Sequence, residues 1–157
     1  MTAAATKGWG LIRASWTGTA VFSATSATAA LAPADGVDAV AFGVAVVMFG
    51  AGCVAFALAY SRVLSRSRTE LIGVAQVYLL TAGVAPGPVR RHLLGALTVQ
   101  VVVAIAAAAM RPYSSLAAGT LAPMFGLGLC GMWAARYGTF PPRAGPPRRP
   151  GPRQSGP

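Results

Sequence analysis

The stretch Ala39-Val-Ala-Phe-Gly-Val-Ala-Val-Val-Met-Phe-Gly-Ala-Gly-Cys-Val-Ala-Phe-Ala-Leu-Ala-Tyr60 carries no charge over 22 positions. At about 1.5 Å per residue a helix of this length measures about 33 Å, which matches a hydrocarbon core about 30 Å thick. Tyr60 closes the run where aromatic side chains sit at a membrane interface, and Arg62, Arg66 and Arg68 follow. Such a run belongs to a membrane span, and it makes the expected fold class an all-α membrane protein.

Three further apolar runs flank it. Residues 14–32 are uncharged, but seven of them are Ser or Thr. Thr19, Ser23 and Ser26 share one helical face, which is expected to turn inward and pack. A cleaved signal peptide is the competing reading, since Ala30 and Ala32 supply an A-x-A pattern; Pro33 directly after that site argues against cleavage. Residues 93–110 are almost all Ala, Val and Leu, with Gln100 near the middle. Residues 116–135 form the fourth run, in which Pro123 predicts a kink that neighbouring helices can accommodate. The expectation is therefore four transmembrane helices, at 14–32, 39–60, 93–110 and 116–135, with a short turn at 33–38.

Between the second and third runs, residues 69–82 are apolar but too short to span. Thr69, Glu70, Gly73 and Gln76 fall on one helical face and Leu71, Ile72, Ala75, Val77, Tyr78 and Leu79 on the other. This pattern predicts an amphipathic helix over 69–82 lying at the cytoplasmic interface, broken by Gly83-Val-Ala-Pro-Gly-Pro88. From Thr139 the chain is rich in Pro, Gly and Arg and cannot bury enough apolar surface to fold. Residues 1–138 are read as the transmembrane domain and 139–157 as a disordered cytoplasmic tail.

The whole chain is 55% hydrophobic and 10% charged, against about a quarter charged in soluble domains. Thirteen Lys and Arg against three acids leave a net charge of +10. Nucleic acid is the first partner such a charge suggests, but the basic residues stand between and after apolar runs, as cytoplasmic segments near anionic lipid do. With the N-terminus inside, 12 of the 13 basic residues are cytoplasmic and only Arg111 is outside, with Asp35 and Asp38. The positive-inside rule then places both termini in the cytoplasm.

Few constellations carry chemistry. Gly126-Leu-Gly128-Leu-Cys-Gly131 matches GxGxxG, yet a dinucleotide site needs a preceding strand and a water-facing helix N-terminus. Inside an apolar span, Gly126, Gly128 and Gly131 read instead as a groove for close helix packing, and Gly43, Gly50 and Gly52 offer a similar surface. Cys53 and Cys130 are expected at similar depth; packing is the favoured reading over a metal or redox pair. His92 adjoins Arg90 and Arg91 and reads as part of an interfacial cluster meeting lipid phosphates. Gln100 is expected to hydrogen-bond a neighbouring helix through Thr19, Ser23 or Ser26. No Asp, Glu, Lys or Arg lies within the four runs, which argues against ion-coupled transport. Asp35 and Asp38 fall on the opposite side from His92, so no triad assembles, and no enzyme activity, metal or cofactor is expected.

Three segments carry a resemblance: Arg66-Ser-Arg68-Thr69-Glu70, Ala122-Pro123-Met-Phe-Gly126-Leu-Gly128, and Arg136-Tyr-Gly-Thr-Phe-Pro-Pro-Arg143. Over roughly residues 40–143 the chain resembles a family of small four-helix actinobacterial integral membrane proteins of unknown function. The resemblance implies a bacterial plasma membrane location and no mechanism. From the residues themselves, the expected role is a non-enzymatic scaffold, assembly factor or complex subunit. Its basic face, from Arg62, Arg66, Arg68, Arg90, Arg91, Arg148 and Arg149, would meet anionic phospholipid or a protein partner, and its glycine faces suit association with other spans or further copies of itself. A small oligomeric transporter or channel is the alternative.

Overall fold

The computed structural model describes residues 8–32 and 34–143. They form α1 (Trp9–Leu31), α2 (Asp35–Arg66), α3 (Val74–Tyr78), α4 (Gly87–Met110), a 3-10 helix (Ser115–Leu121) and α5 (Pro123–Tyr137). Among the described residues there is no sheet, only one isolated antiparallel bridge between Glu70 and Pro142. Three helices are long and apolar enough to cross a membrane: Gly36–Arg66, Gly87–Met110 and the combined Ser115–Tyr137. α1 has 23 residues, but its hydroxyl-bearing residues dilute its hydropathy and keep it out of that set.

The helices run up and down, α1 packing on α2 and α4, and α5 on α2 and α4. One end of the bundle gathers Trp9, Arg66, His92 and Trp133–Tyr137; the other gathers Ala29, Asp38, Ala107 and Leu116. The largest apolar cluster, with Ile12, Tyr78, Leu80, Leu93 and Trp133, lies at the first, arginine-rich end. Smaller clusters around Phe22 and Ala29 continue toward the opposite end.

Several boundaries differ from the sequence expectation. α2 begins at Asp35, so most of the expected 33–38 turn is helical, and its 32 residues reach Arg66. At about 48 Å it outreaches a hydrocarbon core. Asp38 stays in the helix because Arg111 neutralises it across the end of the bundle at 2.8 Å. α4 begins at Gly87 with Pro88 in its first turn, where proline's missing N–H costs nothing, so Arg90, Arg91 and His92 are helical. The fourth run breaks at Pro123 into a 3-10 helix and α5, which is more than a kink.

The interfacial helix over 69–82 does not form. Only Val74–Tyr78 is helical. Thr69 lies in a turn after α2, and residues 69–71 pair with 141–143: the Leu71 amide donates to the Pro141 carbonyl at 2.9 Å and the Arg143 amide to the Thr69 carbonyl at 2.9 Å. Leu80, Ala82 and Gly83 take positive φ of 51°, 54° and 76°, which turns the chain back. The cause is burial: Tyr78 stacks on Phe56 at 4.3 Å, and Val77 and Leu80 fill the core. A continuous helix would hold one of these side chains outside. Residues 139–143, counted with the tail, are thus tied to the 69–84 connection; the rest of the tail, with Arg148 and Arg149, lies outside the described residues.

Candidate functional site

Two places concentrate polar chemistry. The first is the buried contact around Gln100. Gln100 is fully buried; its Nε2 donates to Thr19 Oγ1 at 2.8 Å, and Thr19 Oγ1 donates to the Ser15 carbonyl at 2.8 Å. Its Oε1 accepts from the Gly126 amide at 3.2 Å. That amide is free because the Ala122 carbonyl is used by the Phe125 amide at 2.9 Å, one residue early, as the 3-10 helix gives way to α5. Gln100 therefore caps the start of α5 from α4 while holding α1. Of the three expected partners, Thr19 is the one that bonds Gln100; Ser23 and Ser26 take no part, and Ser15 Oγ has no hydrogen-bond partner.

Glycine makes this close approach feasible. A Cβ on Gly126 would stand 2.8 Å from Gln100 Oε1, and one on Gly128 2.5 Å from the Gly52 carbonyl oxygen. One on Gly131 would meet the Tyr78 ring at 2.5 Å. Gly43 and Gly50 face outward with nothing within 4 Å. Cys53 and Cys130 are both free thiols, and no metal-holding group of His, Cys, Asp or Glu occurs among the described residues.

The second place is the arginine-rich end. Arg66 turns inward: Nη1 donates to the Ala135 carbonyl at 3.2 Å and Nη2 to the Gly138 carbonyl at 3.1 Å. Nη2 also lies 3.1 Å from Glu70 Oε1 and 3.0 Å from Oε2, with hydrogen-bond geometry met only at Oε1. The Phe140 ring lies 5.2 Å from the guanidinium. Arg66 thus caps the last turn of α5, where a cation is favoured by the helix dipole, and fastens the exit of the chain. It is a structural hub, in contrast with its sequence neighbours.

Arg13, Arg62, Arg68, Arg90, Arg91, Arg136 and Arg143 are exposed, and no carboxylate pairs with any of them among the described residues. Arg62 reaches only Met132 Sδ, at 3.5 Å. His92 is exposed and meets Trp9 edge-on at 6.2 Å. At the same end the Tyr78 phenol is pushed above its ordinary pKa, first by burial and then by Tyr60, so it stays a donor, 3.4 Å from the Phe56 carbonyl. At the opposite end Arg111 is matched, bonding Asp38 at 2.8 Å and the Ala29 carbonyl at 3.1 Å.

What the sequence does not signal is the division of labour among the arginines. Arg66 differs from Arg62 and Arg68 through Glu70 four residues on and through the Ala135 and Gly138 carbonyls some seventy positions away. No protein-family model, curated protein or solved structure matches the chain.

Proposed function

We propose that the chain is a four-span protein of a bacterial plasma membrane, with both termini in the cytoplasm, that serves as a non-catalytic scaffold or complex subunit. Its arginine-rich end binds anionic phospholipid headgroups and presents the tail to a protein partner. The observation that carries this reading is charge asymmetry: among the described residues, exposed arginines without a carboxylate partner crowd one end, while the single arginine of the other is neutralised by Asp38. In a bilayer such an end is drawn to the anionic leaflet. α1 serves as the fourth span, because its Ser15, Thr19 and Ser26 are buried and its outward Thr25 and Thr28 hydroxyls donate to carbonyls of their own helix, which lowers the cost of meeting lipid. The sealed Gln100 supports a packed bundle over a conduction path.

The test is native mass spectrometry of the full-length protein from mixed bilayers of phosphatidylglycerol and phosphatidylcholine. Retained phosphatidylglycerol is expected to fall stepwise as Arg90, Arg91 and Arg62 are changed to Gln. Equal retention of both lipids by the wild type overturns the headgroup reading.

A further inference from the structure

On the outer side of α1 and α4, toward the end that carries Arg111, runs a groove of about 300 Å³. Its lining includes Ser23, Ser26 and Ala30 of α1 and Val103, Ala107 and Met110 of α4. Ser26 is 4% exposed, and neither its hydroxyl nor that of Ser23 has a hydrogen-bond partner among the described residues. In this α1 helix Thr19, Thr25 and Thr28 all turn back to a carbonyl three or four residues earlier. The two serines do not: the Ser23 oxygen is sealed from the surface, Ser26 borders the groove, and an unsatisfied hydroxyl is unfavourable in either place. Lipid chains offer no acceptor to the Ser26 hydroxyl that borders the groove.

A second surface is its counterpart. Along α2, Gly36, Val40, Gly43, Val47, Gly50 and Val54 alternate at spacings of four and three. All six face outward, the valines 58%, 71% and 61% exposed, and the glycines have nothing within 4 Å. Spacing of seven keeps one seam facing a partner helix in a left-handed crossing, with side chains entering the holes opposite. Every deeply buried glycine of α5 answers to a neighbour inside the bundle; these three answer to none. Where the Cβ is missing, the backbone carbonyls of α2 lie open to an approaching hydroxyl.

The two surfaces lie at one depth. Phe22 of α1 packs against Ala45 and Met48 of α2, and Ala29 packs against Ala41. Ser26, between Phe22 and Ala29, is therefore level with the stretch of α2 that contains Gly43. Copies standing in one membrane with the same orientation would bring Gly43 of one to the height of Ser26 of the next.

We infer that the chain associates with further copies of itself, the glycine–valine seam of α2 from one copy lying in the α1–α4 groove of the next. Ser26 donates to an α2 carbonyl bared around Gly43. Seam and groove are different surfaces, so the contact is head-to-tail, and rotation that closes makes a ring. This holds whatever the arginine-rich end binds.

The test uses two differently tagged full-length copies in native membranes, both lacking Cys53 (Cys53→Ala) and keeping the buried Cys130. One carries Ser26→Cys and the other Gly43→Cys; under mild oxidation a mixed dimer is expected at least five times more abundant than with Val102→Cys in place of Gly43→Cys. Equal yields, or none from the first pair, overturn the inference. Independently, single-molecule photobleaching in dilute vesicles is expected to count multiple copies for the wild type and single ones for Gly43→Leu/Gly50→Leu. A wild type that is single at every density overturns it. So does a single chain that retains one bound amphiphile and loses it on Ser26→Ala, which would assign the groove to that small molecule.

Discussion

The bundle is held by two interfaces of opposite chemistry. α2 meets α5 through absence of side chains: Gly52 lies against the backbone of Met124 and Phe125, and Gly128 against the carbonyl of Gly52. α1 meets α4 and α5 through a polar contact, Thr19 to Gln100 to Gly126. Apolar burial does not distinguish a neighbouring helix from lipid tails, so specific helix pairs need either very close backbone approach or a hydrogen bond that lipid cannot offer. This chain uses one device for each pair. The glycine interface tolerates no added atom, whereas the polar one should degrade by the worth of its bonds.

The sharpest way to break this contrast is at the glycine interface. Gly128→Leu places carbon against the Gly52 carbonyl, which is backbone and cannot rotate away. Loss of about 4 kcal/mol or more is expected, in the range of severe core overpacking. Titrating sodium dodecyl sulfate into detergent-solubilised protein while following tryptophan fluorescence should find Gly128→Leu unfolded from the start; a wild-type midpoint would mean the two backbones are further apart than described.

At the polar interface Gln100→Leu removes one bond and strands the Gly126 amide, for a loss of about 1–3 kcal/mol. Thr19→Val should cost less, since the amide cap survives. The double variant should fall short of the sum, because both single changes remove the same bond. Strict additivity in the same titration would mean that Thr19 and Gln100 do not act together.

These two interfaces also show how far the residues speak for themselves. Gln100 is the one strongly polar side chain midway along an apolar run, and Thr19, Ser23 and Ser26 share one face of α1, so a bond to that face was legible but not which hydroxyl would make it. The purity of residues 39–60 made the main span legible as well. The 69–82 segment was misleading for a physical reason: periodic apolar residues describe any helix with one greasy face. They do not reveal that Tyr78 would stack on Phe56, or that residues 141–143 would return to pair with 69–71. Glycine spacing likewise does not say which face has a neighbour, so Gly43 and Gly126 look alike until the helices are placed.

The ends of the molecule give a milder comparison. Arg66→Lys keeps the charge but cannot reach Ala135, Gly138 and Glu70 together, since a planar fork is replaced by a single ammonium. A loss of about 1–2 kcal/mol is expected, with faster hydrogen exchange at the Leu71 and Arg143 amides; unchanged exchange there would sever Arg66 from the pairing of 69–71 with 141–143. Asp38→Asn at the opposite end should cost less, below about 1 kcal/mol, because the Arg111 pair is partly exposed and screened. Its effect should shrink further as salt is raised, and a salt-independent loss would point to the carbonyl of Ala29 as the stronger tie.

The smallest effect is expected where the glycine comparison is most direct, on α2 itself. Gly52 and Gly43 are glycines in the same long helix, and replacement by Ala improves intrinsic helix propensity at either by up to about 1 kcal/mol. At Gly52 that gain is overwhelmed, since a Cβ would stand 2.5 Å from the Met124 carbonyl carbon and the Phe125 nitrogen. At Gly43 nothing lies within 4 Å, so in excess detergent, with copies kept apart, Gly43→Ala should leave the unfolding midpoint unchanged or raise it slightly. The two substitutions should therefore differ in sign on one helix. A loss at Gly43 under those conditions would mean that this face of α2 is already covered within a single chain.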